Sequence, residues 1–258
     1  MFKTFLLKEL SMGLKRPMIY IFFFIFTIIA VLGASTLSVT FGGATGNVLK
    51  NAPYVISQYT INLCIIGLLI ATAYFNNAAL KDYQHQFSMI LFSTPIHKAG
   101  YFFGRFFGGL ILSVIPLLGV FFGFSIATNM ALESGMQETA RIQELLPNVF
   151  LSNFLLFIVP NMFVSGAIIF AIANKWKSTI ISFIATIVII VLYLISGTFM
   201  NDISTEMYAV LTDAFGFRAY TIDTKYYTTI EKNTQVVSFS GWLLINRLIW
   251  ISIGIITL

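Results

Sequence analysis

The sequence predicts an all-α integral membrane protein, and three features point to it. Hydrophobic residues make up 58% of the 258 and charged residues only 10%, against about 25% charged in an average soluble domain. The apolar residues gather in several runs, each about the ~20 residues that cross a hydrocarbon core or longer. Lys and Arg stand at the ends of these runs, so the formal charge of +5 reflects membrane topology rather than a basic-aromatic surface for nucleic acid. The one cysteine, Cys64, lies in an apolar run and leaves no internal disulfide.

Taken in order, residues 2–14 place Phe2, Phe5, Leu6, Leu10 and Leu14 at helical spacing, with Lys3, Lys8 and Glu9 between them. Lys15, Arg16 and Pro17 stop the pattern. Residues 1–16 thus predict a short helix lying in the membrane interface, too charged throughout for a cleaved signal peptide. The first span covers about 18–39. The turn-forming 40–54 leads to a second span, about 55–74, which holds Asn62.

The third span, about 101–128, carries two GxxxG pairs, Gly104/Gly108 and Gly119/Gly123. About three turns separate them, which puts both on one face where a neighbouring helix can approach closely. Glycine is also simply common in spanning helices. A polar, acidic stretch at 129–148 has room for a short helix. The fourth span, about 149–173, contains Pro160, which predicts a kink. Asn161 beside it either lines a cavity or satisfies the freed backbone.

NKWKS (174–178) joins a fifth span, 179–199, so aliphatic that much of it must face lipid. The long polar stretch 200–240 reads as a helix closed by Gly216, then an irregular part with β-prone pieces over 217–239. The sixth span starts at Trp242 and is still apolar at Leu258, which predicts a longer chain of which these residues form a single transmembrane domain. Arg247 is the one charge well inside an apolar run. It is either a functional group or a side chain snorkelling to the outer surface.

The segment 76–106 is neither apolar enough to span nor polar enough to be a plain loop. Leu80, Tyr83, Phe87, Ile90 and Leu91 fall at helical spacing, with Lys81, His85 and Ser88 on another face. This predicts one amphipathic helix ending at Ser93-Thr94-Pro95, since a proline turns the residue before it away from the helical region. Such a helix can cover neighbouring helix ends at the membrane surface or offer a face to a soluble partner.

Charge sets the orientation. Lys3, Lys8, Lys15, Arg16, Lys81, Lys98, Arg105, Lys175 and Lys177 fall on one side, whereas most acidic residues fall in the opposite loops. The first side, with the N-terminus, is therefore expected to be cytoplasmic. There is no GxxxxGK[ST], no HExxH and no Cys/His cluster. The sequence thus predicts no metal, no cofactor and no chemistry of its own, and a protein that does not power itself.

This pattern of an interfacial helix, six spans, an amphipathic cytoplasmic segment between spans two and three and a long outer loop before span six resembles the type-2 ABC exporter permeases. The local match is LKDYQHQFSMILFSTPIHKAGYFFGRFFGG, residues 80–109. A second match, DAFGFRAYTIDTKYYTTIEKN with LLINRLIW at 243–250, looks like the long permeases fused to a zinc aminopeptidase-like domain. The resemblance implies an inner-membrane subunit that pairs with a second permease half. It also implies a cytoplasmic ATPase docked on residues 80–94, with Pro95 fixing the helix exit, and export of an unidentified substrate. The outer loops leave a second possibility open, a mechanotransmitter or scaffold that moves no substrate.

Overall fold

Helix α1 (Phe2–Leu14) bends at residues 15–16 into α2 (Pro17–Ser35) in the computed structural model, which describes residues 1–35, 43–93, 95–135 and 141–258. Pro17 opens α2, where the amide it lacks would have had no partner in the helix. The predicted end of the first span, residues 36–39, lies outside the described residues.

Helix α3 (Pro53–Gln84) has 32 residues. At 1.5 Å per residue it is about 48 Å long, well beyond a ~30 Å hydrocarbon core. A six-residue α4 (Ser88–Ser93) follows, then α5 (Lys98–Glu133), which tightens into a 3-10 turn at Ile115–Leu118 around Pro116.

Helix α6 (Asn148–Trp176) contains a π turn at Phe154–Ile158, just before Pro160. The predicted disturbance is thus a widened turn that accommodates the proline ring. Helix α7 (Thr179–Thr198) leads to three short helices, α8 (Glu206–Thr212), α9 (Phe217–Asp223) and α10 (Thr229–Thr234), and then to α11 (Gly241–Thr257).

Among the described residues there is no strand. Among the described residues five helices, α2, α3, α5, α6 and the Thr179–Asn201 stretch that includes α7, are long and apolar enough to cross a membrane; α11 is apolar but has 17 residues. Their outer faces agree with that role. Ile180, Ile184, Ile187 and Leu194 on α7, Phe24 and Ile28 on α2, and Ile66 and Leu69 on α3 are all at least half exposed. So much contiguous apolar surface fits lipid, not water. These helices make a multi-pass membrane protein.

The interior is organised on α3 and α6. Phe75 lies over Gly166, where an added Cβ would come within 2.1 Å of the ring, and stacks near Phe106 of α5. Asp223 at the end of α9 accepts from the amides of Trp242 and Leu243, both at 2.9 Å, and so caps α11 from outside.

Two expectations change. The 76–93 stretch is not one amphipathic helix. Leu80 and Tyr83 belong to α3, and Leu80 is buried in the core at 1% exposure. The chain then reverses at Gln86, whose φ of 56° is left-handed, before α4 begins. The cause is the length of α3, whose last turns pack against α1 and α5 through Lys81 and Asp82. Residues 217–239 form α9 and α10 instead of β-prone irregular chain. A Thr228–Glu231 capping box starts α10 with reciprocal hydrogen bonds that sequence periodicity over so few residues does not reveal. Over 129–148, α5 continues to Glu133 and residues 141–147 are non-helical; residues 136–140, within the stretch given room for a short helix, lie outside the described part.

Candidate functional site

The two GxxxG pairs are where the chain folds back on itself. An added Cβ at Gly104 would lie 2.8 Å from the Phe5 Cβ, and one at Gly108 would lie 2.6 Å from the Glu9 Cβ, so this half of α5 receives α1. At Gly119 the obstacle is the Phe23 carbonyl at 2.3 Å, and at Gly123 the Thr27 carbonyl at 2.4 Å; that half receives α2. The seam expected from the sequence is thus filled by the chain's own first two helices.

Close approach at Gly108 delivers Glu9 into an ionic cluster. Its Oε2 accepts from Lys81 Nζ at 2.6 Å and from Arg105 Nη1 at 2.9 Å. Arg105 Nη2 also pairs with Asp82 Oδ2, which in turn accepts from the Tyr101 hydroxyl at 2.8 Å. Glu9 is 3% and Arg105 6% exposed. Burial pushes the Glu9 carboxyl above its ordinary range, against the pull of Arg105. The two carboxylates and two cations balance, which is what permits four charges in so little water. The cluster ties α1, α3 and α5 together at one end of the bundle.

A cavity of about 350 Å³ opens beside it, bordered by Phe5, Lys8, Met12, His85, Phe87 and Leu91 with the cluster as its floor. Its far wall belongs to the turn before α4 and to α4 itself. Phe87 (45%), Met89 (84%) and Ile90 (62%) are exposed there, while Leu91 is half-buried. Tyr83 lies apart from them, half-buried under the Lys177 ammonium, 4.5 Å from its ring. Pro95 is exposed between α4 and α5. Of the five residues assigned to a docking face, Phe87 and Leu91 border this cavity and Ile90 is exposed beside them on α4, whereas Leu80 and Tyr83 lie elsewhere. His97 Nδ1 accepts from the Gly100 amide at 3.2 Å and caps α5.

A second polar centre lies in the opposite half. Arg247 is 1% exposed. It donates to Asn161 Oδ1 at 2.7 Å, to Asn246 Oδ1 at 2.6 Å and 3.0 Å, and to the Ala214 carbonyl at 3.1 Å. It therefore does not snorkel. Gly216, at φ 74°, leaves the room: an added Cβ would stand 2.3 Å from the guanidinium. Asn161 accepts from this arginine through Oδ1, and its Nδ2 makes no hydrogen bond to a backbone carbonyl freed by Pro160. Among the described residues Asn62 bonds the Gln58 carbonyl of its own helix, at 2.8 Å, and belongs to neither centre.

Sequence reasoning missed Glu9, Asp82 and Arg105. The available signal was Arg105 itself, an arginine set within YFFGRFFGG, as apolar a neighbourhood as that of Arg247.

The chain matches no model of a known protein family and no curated protein sequence. Fold and site together define a multi-pass helical membrane protein with a neutralised ionic cluster beneath an exposed apolar elbow at one end. The particular activity is a matter of inference.

Proposed function

We propose that this chain is the membrane-spanning permease subunit of an ATP-driven exporter of the type-2 ABC kind, powered by a soluble ATPase that docks on the 87–91 elbow. The observation that carries this is the exposed apolar surface of Phe87, Met89 and Ile90, mounted on an ionic cluster that joins three helices. A partner pressing on α4 moves the turn that borders Glu9, Lys81 and Arg105. Force is thereby passed into α1, α3 and α5 rather than lost in a loose loop. The chain's own lack of a nucleotide motif leaves the energy source to that partner.

In this reading α11 is the sixth span, the 1–16, 76–106 and 174–178 segments are cytoplasmic, and a second permease half completes the unit. Substrate identity is left open. Reporter fusions after Lys98 and Lys177 should report cytoplasm, and fusions after Lys225 the opposite side; protease access to Lys98 in intact cells would reverse the orientation.

The decisive experiment is co-purification. Phe87→Ala and Ile90→Ala should each weaken recovery of an ATPase subunit by the equivalent of ~2 kcal/mol with the protein still inserted and folded. Leu80→Ala should instead destabilise the protein itself. Undiminished ATPase recovery with both surface variants would remove the docking reading.

A mechanotransmission role without transport has one observation in its favour. Residues 202–240 form three helices, of which α9 caps α11 through Asp223, an ordered platform rather than a mere connection. Uptake of labelled compounds into inverted vesicles separates the two: ATP-dependent accumulation favours the exporter.

A further inference from the structure

Between α2 and α3, at the end of the bundle where α1 meets α2, lies a cavity of about 260 Å³ that none of the foregoing uses. Phe22, Ile66, Leu69 and Ala73 give it apolar walls, and Arg16 and Tyr74 stand at one end. Ile66 and Leu69 are about half exposed, so the cavity opens sideways onto the apolar belt and not into the bundle.

Its polar end is underused. Tyr74 is 6% exposed, yet its hydroxyl has no hydrogen-bond partner among the described residues, an arrangement that calls for a missing acceptor or donor. Arg16 gives one N–H to Asn77 Oδ1 at 2.9 Å. Its other guanidinium donors meet no side chain among the described residues and suit a bidentate oxyanion. Glu9, the nearest acid on α1, is already engaged by Lys81 and Arg105.

We infer that this cavity is a binding site for an anionic membrane phospholipid. Its phosphate accepts from Arg16 and from the Tyr74 hydroxyl, and one acyl chain lies along Phe22, Ile66 and Leu69. The occupant is a lipid of the leaflet on the α1 side for two reasons. The groove is open to the hydrocarbon along its length, and its one cation sits where a helix end meets the headgroup layer. A soluble anion would leave the apolar walls uncovered.

The test uses the full chain in nanodiscs of phosphatidylcholine doped with photoactivatable phosphatidylglycerol, with labelled peptides mapped by mass spectrometry. Label should concentrate on peptides containing residues 66–74 and be displaced by excess phosphatidylglycerol but not by phosphatidylcholine. Arg16→Gln should cut it about tenfold, as expected for one charge-assisted contact, and Tyr74→Phe less. Ala73→Trp fills the groove from an exposed position without touching the core, and should abolish label there while the protein stays monodisperse. Labelling spread evenly around the belt, equal competition by phosphatidylcholine, or undiminished label in Ala73→Trp would each overturn the site.

Discussion

Removing Arg105 and Glu9 together should cost less than the two removals summed. In the native cluster Glu9 and Asp82 balance Lys81 and Arg105. Arg105→Met leaves two carboxylates facing one ammonium, and Asp82 keeps only the Tyr101 hydroxyl at 2.8 Å. Glu9→Met leaves two cations facing one carboxylate. Breaking a buried pair in this way costs about 3–5 kcal/mol, because a charge is stranded away from water. For a chain of this size that corresponds to a fall in Tm of roughly 10 °C. The double variant leaves Lys81 with Asp82, a balanced pair, and methionine has the length and flexibility to fill both places. Its cost should be lower than the sum of the singles by roughly 2 kcal/mol. Thermal unfolding of the three variants in one detergent, followed by intrinsic fluorescence, gives the cycle. Strict additivity, or a single variant that melts with the wild type, would refute the charge-balance reasoning.

Gly119→Ala should destabilise the protein by about 1–3 kcal/mol, since even a methyl group meets the Phe23 carbonyl at 2.3 Å; unchanged melting would show that α2 can retreat freely. Asn161→Leu removes the acceptor 2.7 Å from Arg247 Nη1 and should cost about 1–3 kcal/mol in the same assay. For Glu231, capping hydrogen bonds from Thr228 hold the carboxyl below its ordinary 4.5. A depressed carboxyl stabilises the fold above the unfolded value and loses that contribution as pH falls through the folded one. Amide exchange in α10 should therefore accelerate on acidification below 4.5 in the wild type, and Glu231→Gln should flatten that response; identical profiles would show that the box does not hold α10.

Composition alone settled that the chain is helical and lives in a membrane, because apolar runs of spanning length with so few charges have no other stable folded form. The long helices were equally legible, from α1 to the aliphatic α7, since length and periodicity are local properties. So was the fact that Gly104, Gly108, Gly119 and Gly123 mark a close helix contact, though not with what. Partners are set by tertiary packing. Only the fold shows that α1 and α2 fill that seam, and that Glu9, remote in sequence from Asp82 and Arg105, completes their charge. Arg247 could have reached water by its position along the chain, and it is the packing of Asn161, Asn246 and Ala214 around it that holds it inside. The 80–91 face failed for a similar reason. Helical spacing says which residues align if one helix continues, but the point at which α3 stops depends on the neighbours that bury Leu80 and on the left-handed turn at Gln86. What a short segment does at a helix end is decided by contacts that lie elsewhere in the sequence.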